Sequence, residues 1–236
     1  MSSSAIAVAV FRFVILLFSL SVHECAHAWM ASRLGDQTAR MQGRVTLNPI
    51  PHIDPMGTLF FPAMVIFGPL LGFKFPFLLI GWAKPTPVIG RNLKNIRRDE
   101  NIITLAGPAS NLMLVLIAFL GLAVTAIAVP GGRALLRATL EGGLVINGPS
   151  EVQALVVLAL IAIEINLTLL FFNLLPIPPL DGSHLLRNAL PYNAAQQYDR
   201  INGWISYLLM IFVGGYVLGL LVNPTLNLVF TALIGL

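Results

Sequence analysis

The chain has 236 residues, of which 57% are hydrophobic and only 10% charged, with a mean hydropathy of +0.84. Soluble domains carry about a quarter charged residues, so this balance excludes an ordinary soluble enzyme and indicates an all-α polytopic membrane protein. The net charge of +4 does not indicate a nucleic-acid partner, because the basic residues lie in short segments beside apolar runs, where the positive-inside rule accounts for them.

A first apolar helix is expected over residues 5–34, stopped by Gly35, with Arg33, Arg40 and Arg44 marking a cytoplasmic end. Residues 1–5 carry no basic n-region, so this helix reads as retained rather than cleaved. In residues 41–51, Val45 and Leu47 alternate with polar neighbours and prolines forbid a helix, which predicts a short strand or small β-hairpin. Residues 56–82 are apolar but repeatedly interrupted by Gly and Pro. A re-entrant hairpin keeps Arg91, Lys94, Arg97 and Arg98 on the same side as Arg33 to Arg44, whereas a single crossing would not.

A long helix follows over 101–129, with the small residues Gly107-Pro108-Ala109-Ser110-Asn111 near its start allowing close helix packing. The Gly-rich stretch 130–150 reads as an external loop. The next helix, 151–175, is broken by Pro176, Pro178 and Pro179; carbonyls freed there must face protein or a watery cavity. One further span is expected over 201–222, and 224–236 is too short to span by itself. The sum is about five to six transmembrane or re-entrant helices in one membrane domain, 1–236, with its core at 5–190 and C-terminal helices at 200–236.

Within the first helix stands His23-Glu24-Cys25-Ala26-His27. Residues four apart share a helix face, so two imidazoles can address one metal while Glu24 is placed to act on a water there. A catalytic zinc takes three protein ligands. Asp181 is the best third candidate, since a carboxylate at membrane depth is costly unless paired or bound to a cation. It can equally cap the helix that follows. The rivals are His52, His184 and Glu164, of which Glu164 can instead pair with a neighbour such as Asn166. The lone Cys25 excludes a disulfide or a cysteine metal cluster and reads as packing.

His23 to His27 in the first helix, Gly107 to Asn111, and Asn173-Leu174-Leu175-Pro176-Ile177-Pro178-Pro179-Leu180-Asp181-Gly182, in that order, together resemble the site-2 protease family of intramembrane zinc metalloproteases (peptidase family M50). The stretch Arg44 to Thr58 and the segment Trp82 to Val88 also look like those of its compact bacterial members. No stretch is long enough for the PDZ domain that many members insert. The resemblance implies one zinc per chain held by His23, His27 and Asp181, with Glu24 as general base and Asn173 contacting substrate or oxyanion.

On this reading the chain hydrolyses peptide bonds in or near transmembrane segments of protein substrates, in a bacterial plasma membrane. Glu24 takes a proton from the attacking water and passes it to the leaving amine. The Asn173 amide either donates to the oxyanion or bonds backbone freed by the prolines. An edge strand containing Arg44, Val45, Thr46 and Leu47 would pair with the unwound substrate, and His52 is a gating candidate beside it. The alternatives are a metal or ion transporter and an inactive homologue that binds membrane partners.

Overall fold

The computed structural model describes residues 3–73, 82–142, 151–201 and 203–235. Among these every regular secondary-structure element is helical. Four helices are long and apolar enough to cross a membrane: α1 (Ser3–Leu34), α4 (Ile96–Ala128), α6 (Glu151–Asn173) and α10 (Gly215–Gly235). The shorter helices are α2 (Thr38–Met41), α3 (Phe61–Phe67), α5 (Gly132–Gly142), α7 (Asp181–Ala189), α8 (Tyr192–Tyr198) and α9 (Gly203–Leu209). The outer face of α4 leaves Leu116, Leu120, Val124 and Ile127 exposed. In water such a face would be a liability; in lipid it is the solvated surface.

α1, α4 and α6 pack on one another and carry the centre of the molecule. Leu122, Leu136, Leu160, Ile163 and Leu233 join α4, α5, α6 and α10 in the largest apolar cluster. Ala31, Leu93 and Ile103 set the end of α1 beside the start of α4. The basic residues Arg33, Arg91, Lys94, Arg97 and Arg98 therefore gather at one end of the bundle. Asn95 caps α4 by accepting from the Arg98 N–H (3.2 Å), and Asp99 answers by accepting from the Asn95 N–H (2.9 Å).

The expected β-hairpin does not form: no strand occurs among the described residues, and 41–51 is a run of turns ending in a 3₁₀ turn at Ile50–His52. The alternation of Val45 and Leu47 is a local pattern, and no neighbouring backbone completes a ladder with it. Instead Arg44 is buried and donates to the Lys84 carbonyl (3.2 Å), while His52 turns back on the Thr46 carbonyl (3.0 Å). Side chains thus fold the segment onto itself.

Three other expectations shift. The first part of the expected loop is a helix: α5 occupies Gly132–Gly142, burying Leu136 and Thr139 while Arg133 and Arg137 face outward, and 143–150 lie outside the described residues. Asp181 is not a helix cap, since Leu180 holds that position and Asp181 is the first residue of α7. The C-terminal boundary near residue 223 is absent. α9, a π-helical turn at Met210–Gly214 and α10 follow one another directly, with Pro224 inside α10.

The interrupted apolar segment begins with a π-helical turn at Pro55–Phe60, continues through α3 and ends in a 3₁₀ turn at Gly68–Leu71. Asp54 starts it by accepting from the N–H groups of Met56 and Gly57. Beyond residues 74–81, which lie outside the described residues, the chain returns to where it left. The Trp82 N–H donates to the Gly57 carbonyl (3.1 Å), Thr58 donates to the Trp82 carbonyl (2.8 Å), and the Lys84 N–H donates to the His52 carbonyl (3.0 Å). Both ends of the segment share one side of the bundle.

From there residues 83–95 run as a strap toward α4, and buried Asp36 ties this strap to the end of α1. Its carboxylate accepts from the Ile89 N–H (2.6 Å), from the Thr38 N–H and hydroxyl, and from the Asn92 amide (2.8 Å). Burial pushes this carboxyl up, but the donors, Ile89 foremost, outweigh it and hold it below the usual carboxylate range. A depressed folded-state pKa contributes stability that is full above the unfolded value of about 3.9 and is lost as pH falls through the lower folded value. Thermal melting in detergent between about pH 6 and 3 should show this acid-side loss, and Asp36→Asn should be less stable at pH 6 by about 1–3 kcal/mol, with a flatter acid limb.

Candidate metal centre

His23 and His27 lie on the inner face of α1, with 3% and 7% of their surface exposed. Each ring is fixed by its outer nitrogen. His23 Nδ1 donates to the Asn111 side-chain oxygen (2.6 Å), and His27 Nδ1 donates to the Ile103 carbonyl (2.7 Å), both acceptors lying on α4. With the protons on Nδ1, both Nε2 atoms present lone pairs, and they face each other at 3.0 Å. Asp181 Oδ2 completes a triangle at 3.1 Å from His23 Nε2 and 3.4 Å from His27 Nε2. That oxygen is buried and accepts no hydrogen bond.

Three lone pairs converging in a buried space repel one another unless a cation lies among them. The spacing fits one: a tetrahedral zinc with bonds of about 2.05 Å sets its ligand atoms about 3.3 Å apart. Among the described residues this trio is the group of His, Cys, Asp and Glu side chains able to hold a metal ion. Room for the ion is kept by Gly107 of α4, where an added Cβ would collide with His27 Nε2 and the His23 ring.

Asp181 arrives through the break after α6. The prolines stop the helix, and the segment is then held by Leu175, Ile177 and Leu180, buried against Leu218 and Val222 of α10. Gly182 lets α7 lie directly on the end of α6, since a Cβ there would strike the Leu174 and Leu175 carbonyls. These contacts bring the first residue of α7 to face α1.

Glu24 is half-buried, and its Oε2 is held by Thr86 of the strap, which donates from its N–H (3.1 Å) and its hydroxyl (2.8 Å). Behind His23 the chain of bonds continues, for Asn111 donates to Asn166 (2.9 Å), and Asn166 donates to Ser19 (2.9 Å) and to the Ala162 carbonyl (2.8 Å). Asn111, Asn166 and Ser19 are buried, and together they fix both the His23 tautomer and the register of α1, α4 and α6. In the sequence Gly107 to Asn111 reads as packing and as a family motif, Asn166 only as a partner for Glu164, and Thr86 carries no signal of its own. A cluster of polar residues at membrane depth was the available signal for the asparagines.

The other candidates stand elsewhere. Glu164 pairs with Arg12 and not with Asn166. His52 is buried beneath the 46–52 turn, and His184 is exposed on α7. Asn173 donates to the Leu169 carbonyl one turn back in its own helix (2.9 Å). Arg44 is buried against the strap, Val45 and Thr46 are half-buried, and Leu47 is exposed. Cys25 is half-buried and takes no part in the trio.

Two substitutions probe this arrangement. Gly107→Ala fills the ion's space and should abolish metal retention by the folded protein. Asn111→Ala removes the His23 orienter, and metal affinity should fall about 10–100-fold while helix content is kept; metal titration followed by competition with a chelator reads both.

Comparisons with known proteins identify the family. Residues 11–216 match the model of peptidase family M50. The chain is 35% identical over 214 residues to YwhC of Bacillus subtilis, whose name proposes a zinc metalloprotease; the match covers 89% of this chain and 84% of that one. Rip2 of Mycolicibacterium smegmatis, similarly named, is 32% identical over 215 residues, covering 89% of this chain and 66% of its own. Rip2 of Mycobacterium tuberculosis is 34% identical over 169 residues, covering 70% and 52%. No solved structure matches. The matched span contains the histidine pair, the glycine and asparagine of α4 that frame it, and Asp181, and the chain belongs to peptidase family M50.

Proposed function

We propose that the protein is an intramembrane zinc endopeptidase that cuts its substrates in or near their transmembrane segments, on the side where its basic residues gather, the cytoplasmic side of a bacterial plasma membrane. The observation that carries this reading is the convergence of His23 Nε2, His27 Nε2 and Asp181 Oδ2 inside apolar helices, with Glu24 the next residue after the first ligand. The donor set of two imidazoles and one carboxylate suits zinc and leaves a fourth position for water or substrate. The names of the relatives support the same metal, and the bacterial origin of all three supports the membrane.

Zinc, when bound, supplies Lewis acidity, lowering the pKa of a water and polarising the scissile carbonyl. Glu24 supplies the proton path. Thr86 holds Oε2 with two donors, which leaves Oε1 to take the proton of the attacking water and hand it to the departing amine. Asn111 and Ile103 keep the imidazoles in the tautomer that places lone pairs inward. Asn173 donates to the oxyanion when its amide exchanges the Leu169 carbonyl for the substrate. The apolar walls of α1, α4 and α6 keep bulk water out, so these few polar groups act at low dielectric.

The test compares the purified protein with Glu24→Gln and Asp181→Ala, quantifying zinc and cleavage of a labelled transmembrane peptide. Glu24→Gln should keep its zinc and lose cleavage by at least about 100-fold, whereas Asp181→Ala should lose zinc and cleavage together. Equal cleavage by Glu24→Gln removes the proposed proton carrier; normal zinc in Asp181→Ala moves the third ligand elsewhere.

A further inference from the structure

Arg12 of α1 and Glu164 of α6 form a bidentate ion pair, Nη1 to Oε1 at 3.0 Å and Nη2 to Oε2 at 2.8 Å, in the middle of two membrane-spanning helices. Such a pair is not needed for stability, since well-packed apolar residues in its place are often neutral or stabilising. Ionisable groups at membrane depth mark recognition or transfer sites. This pair is also not sealed: 33% and 35% of the two side chains remain accessible.

What they face is a cavity of about 400 Å³ between α1, the 55–71 segment and α6. Its walls are mostly apolar, with Leu20, Ile66 and Phe172 among them. A third polar wall residue, Thr168, already donates its hydroxyl to the Glu164 backbone carbonyl (2.8 Å). Guanidinium has five N–H donors, and among the described residues Arg12 hydrogen-bonds through Nη1 and Nη2 to Glu164 alone. Arg12 thus retains further N–H donors, and Glu164 further lone pairs, beside a largely apolar space. The wall of the cavity on α1 is continuous with the helix that carries the histidine pair. The next turn of α1 after Leu20 carries Glu24, and the next residue of α6 after Phe172 is Asn173.

We propose that this cavity is a recognition subsite for the transmembrane segment of the substrate, where the Arg12–Glu164 pair receives a neutral hydrogen-bonding side chain, Ser, Thr, Asn or Gln, set apart from the scissile bond. The inference rests on the proteolytic reading above. The pair compensates its own charge, so a charged occupant would bring an unbalanced charge to mid-membrane, and a wholly apolar one would leave the free donors unanswered. The separation follows from α1: Arg12 to Glu24 spans about 18 Å along the helix. A substrate bridges that length with about 12 residues if helical and about six if extended. A chain unwound only near the cut places its polar residue between these limits.

The test uses an otherwise Leu/Ala transmembrane peptide with one Asn moved stepwise from about four to fourteen residues on either side of the cut, a range set by those helical and extended limits. Competitive cleavage of the mixture gives relative kcat/KM, and binding to the Glu24→Gln protein reads recognition without turnover. The unsubstituted protein should favour one narrow range of Asn positions by about three- to tenfold, the scale of single interhelical hydrogen bonds in membranes. Replacing both partners, Arg12→Met with Glu164→Leu, should flatten that profile at unchanged zinc content. A flat profile in the unsubstituted protein, or a preference that persists in the double variant, overturns the subsite. Cleavage with a flat profile leaves proteolysis standing without the subsite. A binding preference in Glu24→Gln without cleavage by the unsubstituted protein supports the subsite and defeats proteolysis.

Discussion

Three lone pairs directed into one buried space are the constraint around which this molecule is built. Left alone, His23 Nε2, His27 Nε2 and Asp181 Oδ2 repel one another at 3.0 to 3.4 Å, and a cation turns that repulsion into binding energy. The remaining contacts around the site serve this convergence. α4 takes the outer imidazole protons at Asn111 and Ile103, so the lone pairs cannot turn away. Gly107 withholds a side chain where the ion belongs. The break after α6 delivers the third ligand from the opposite wall.

Holding polar groups this deep requires that each find a partner. The chain His23–Asn111–Asn166–Ser19 satisfies its members in series, and because they come from α1, α4 and α6 it also sets the helix register. At the basic end, Asp36 anchors the strap, and the strap carries Thr86 to Glu24. Glu24 is thereby oriented by a segment that begins where the apolar 55–71 excursion returns. Site geometry and the path of the interrupted segment are coupled through a short stretch of extended backbone.

Much of the site was legible because its signals are local or costly. His23 and His27 declare themselves by helical spacing with Glu24 between them, and Asp181 by a carboxylate just beyond a proline break at membrane depth. The expectation that 56–82 returns to its own side agrees with the backbone bonds of Trp82 and Lys84. What escaped depends on distant pairing. Arg12 meets Glu164 across a separation of 152 residues, and Thr86 reaches Glu24 across 62. Asn111 looked like packing because its small neighbours do pack. The β-hairpin failed for the same reason in reverse: alternation at Val45 and Leu47 is local, while a strand exists only if a partner backbone lies beside it. In α5 the apolar spacing of Leu136 and Leu140 was present but masked by flanking glycines.

The proposed centre is two imidazoles and one carboxylate around a single metal ion. X-ray absorption at the zinc edge of the purified, membrane-extracted protein, with metal content measured on the same sample, tests it directly. One zinc per chain is expected, with two imidazole nitrogens and oxygen donors at about 2.0–2.2 Å, and no sulfur. Absence of tightly bound metal, a sulfur scatterer from Cys25, or an unchanged spectrum in Asp181→Ala would contradict it.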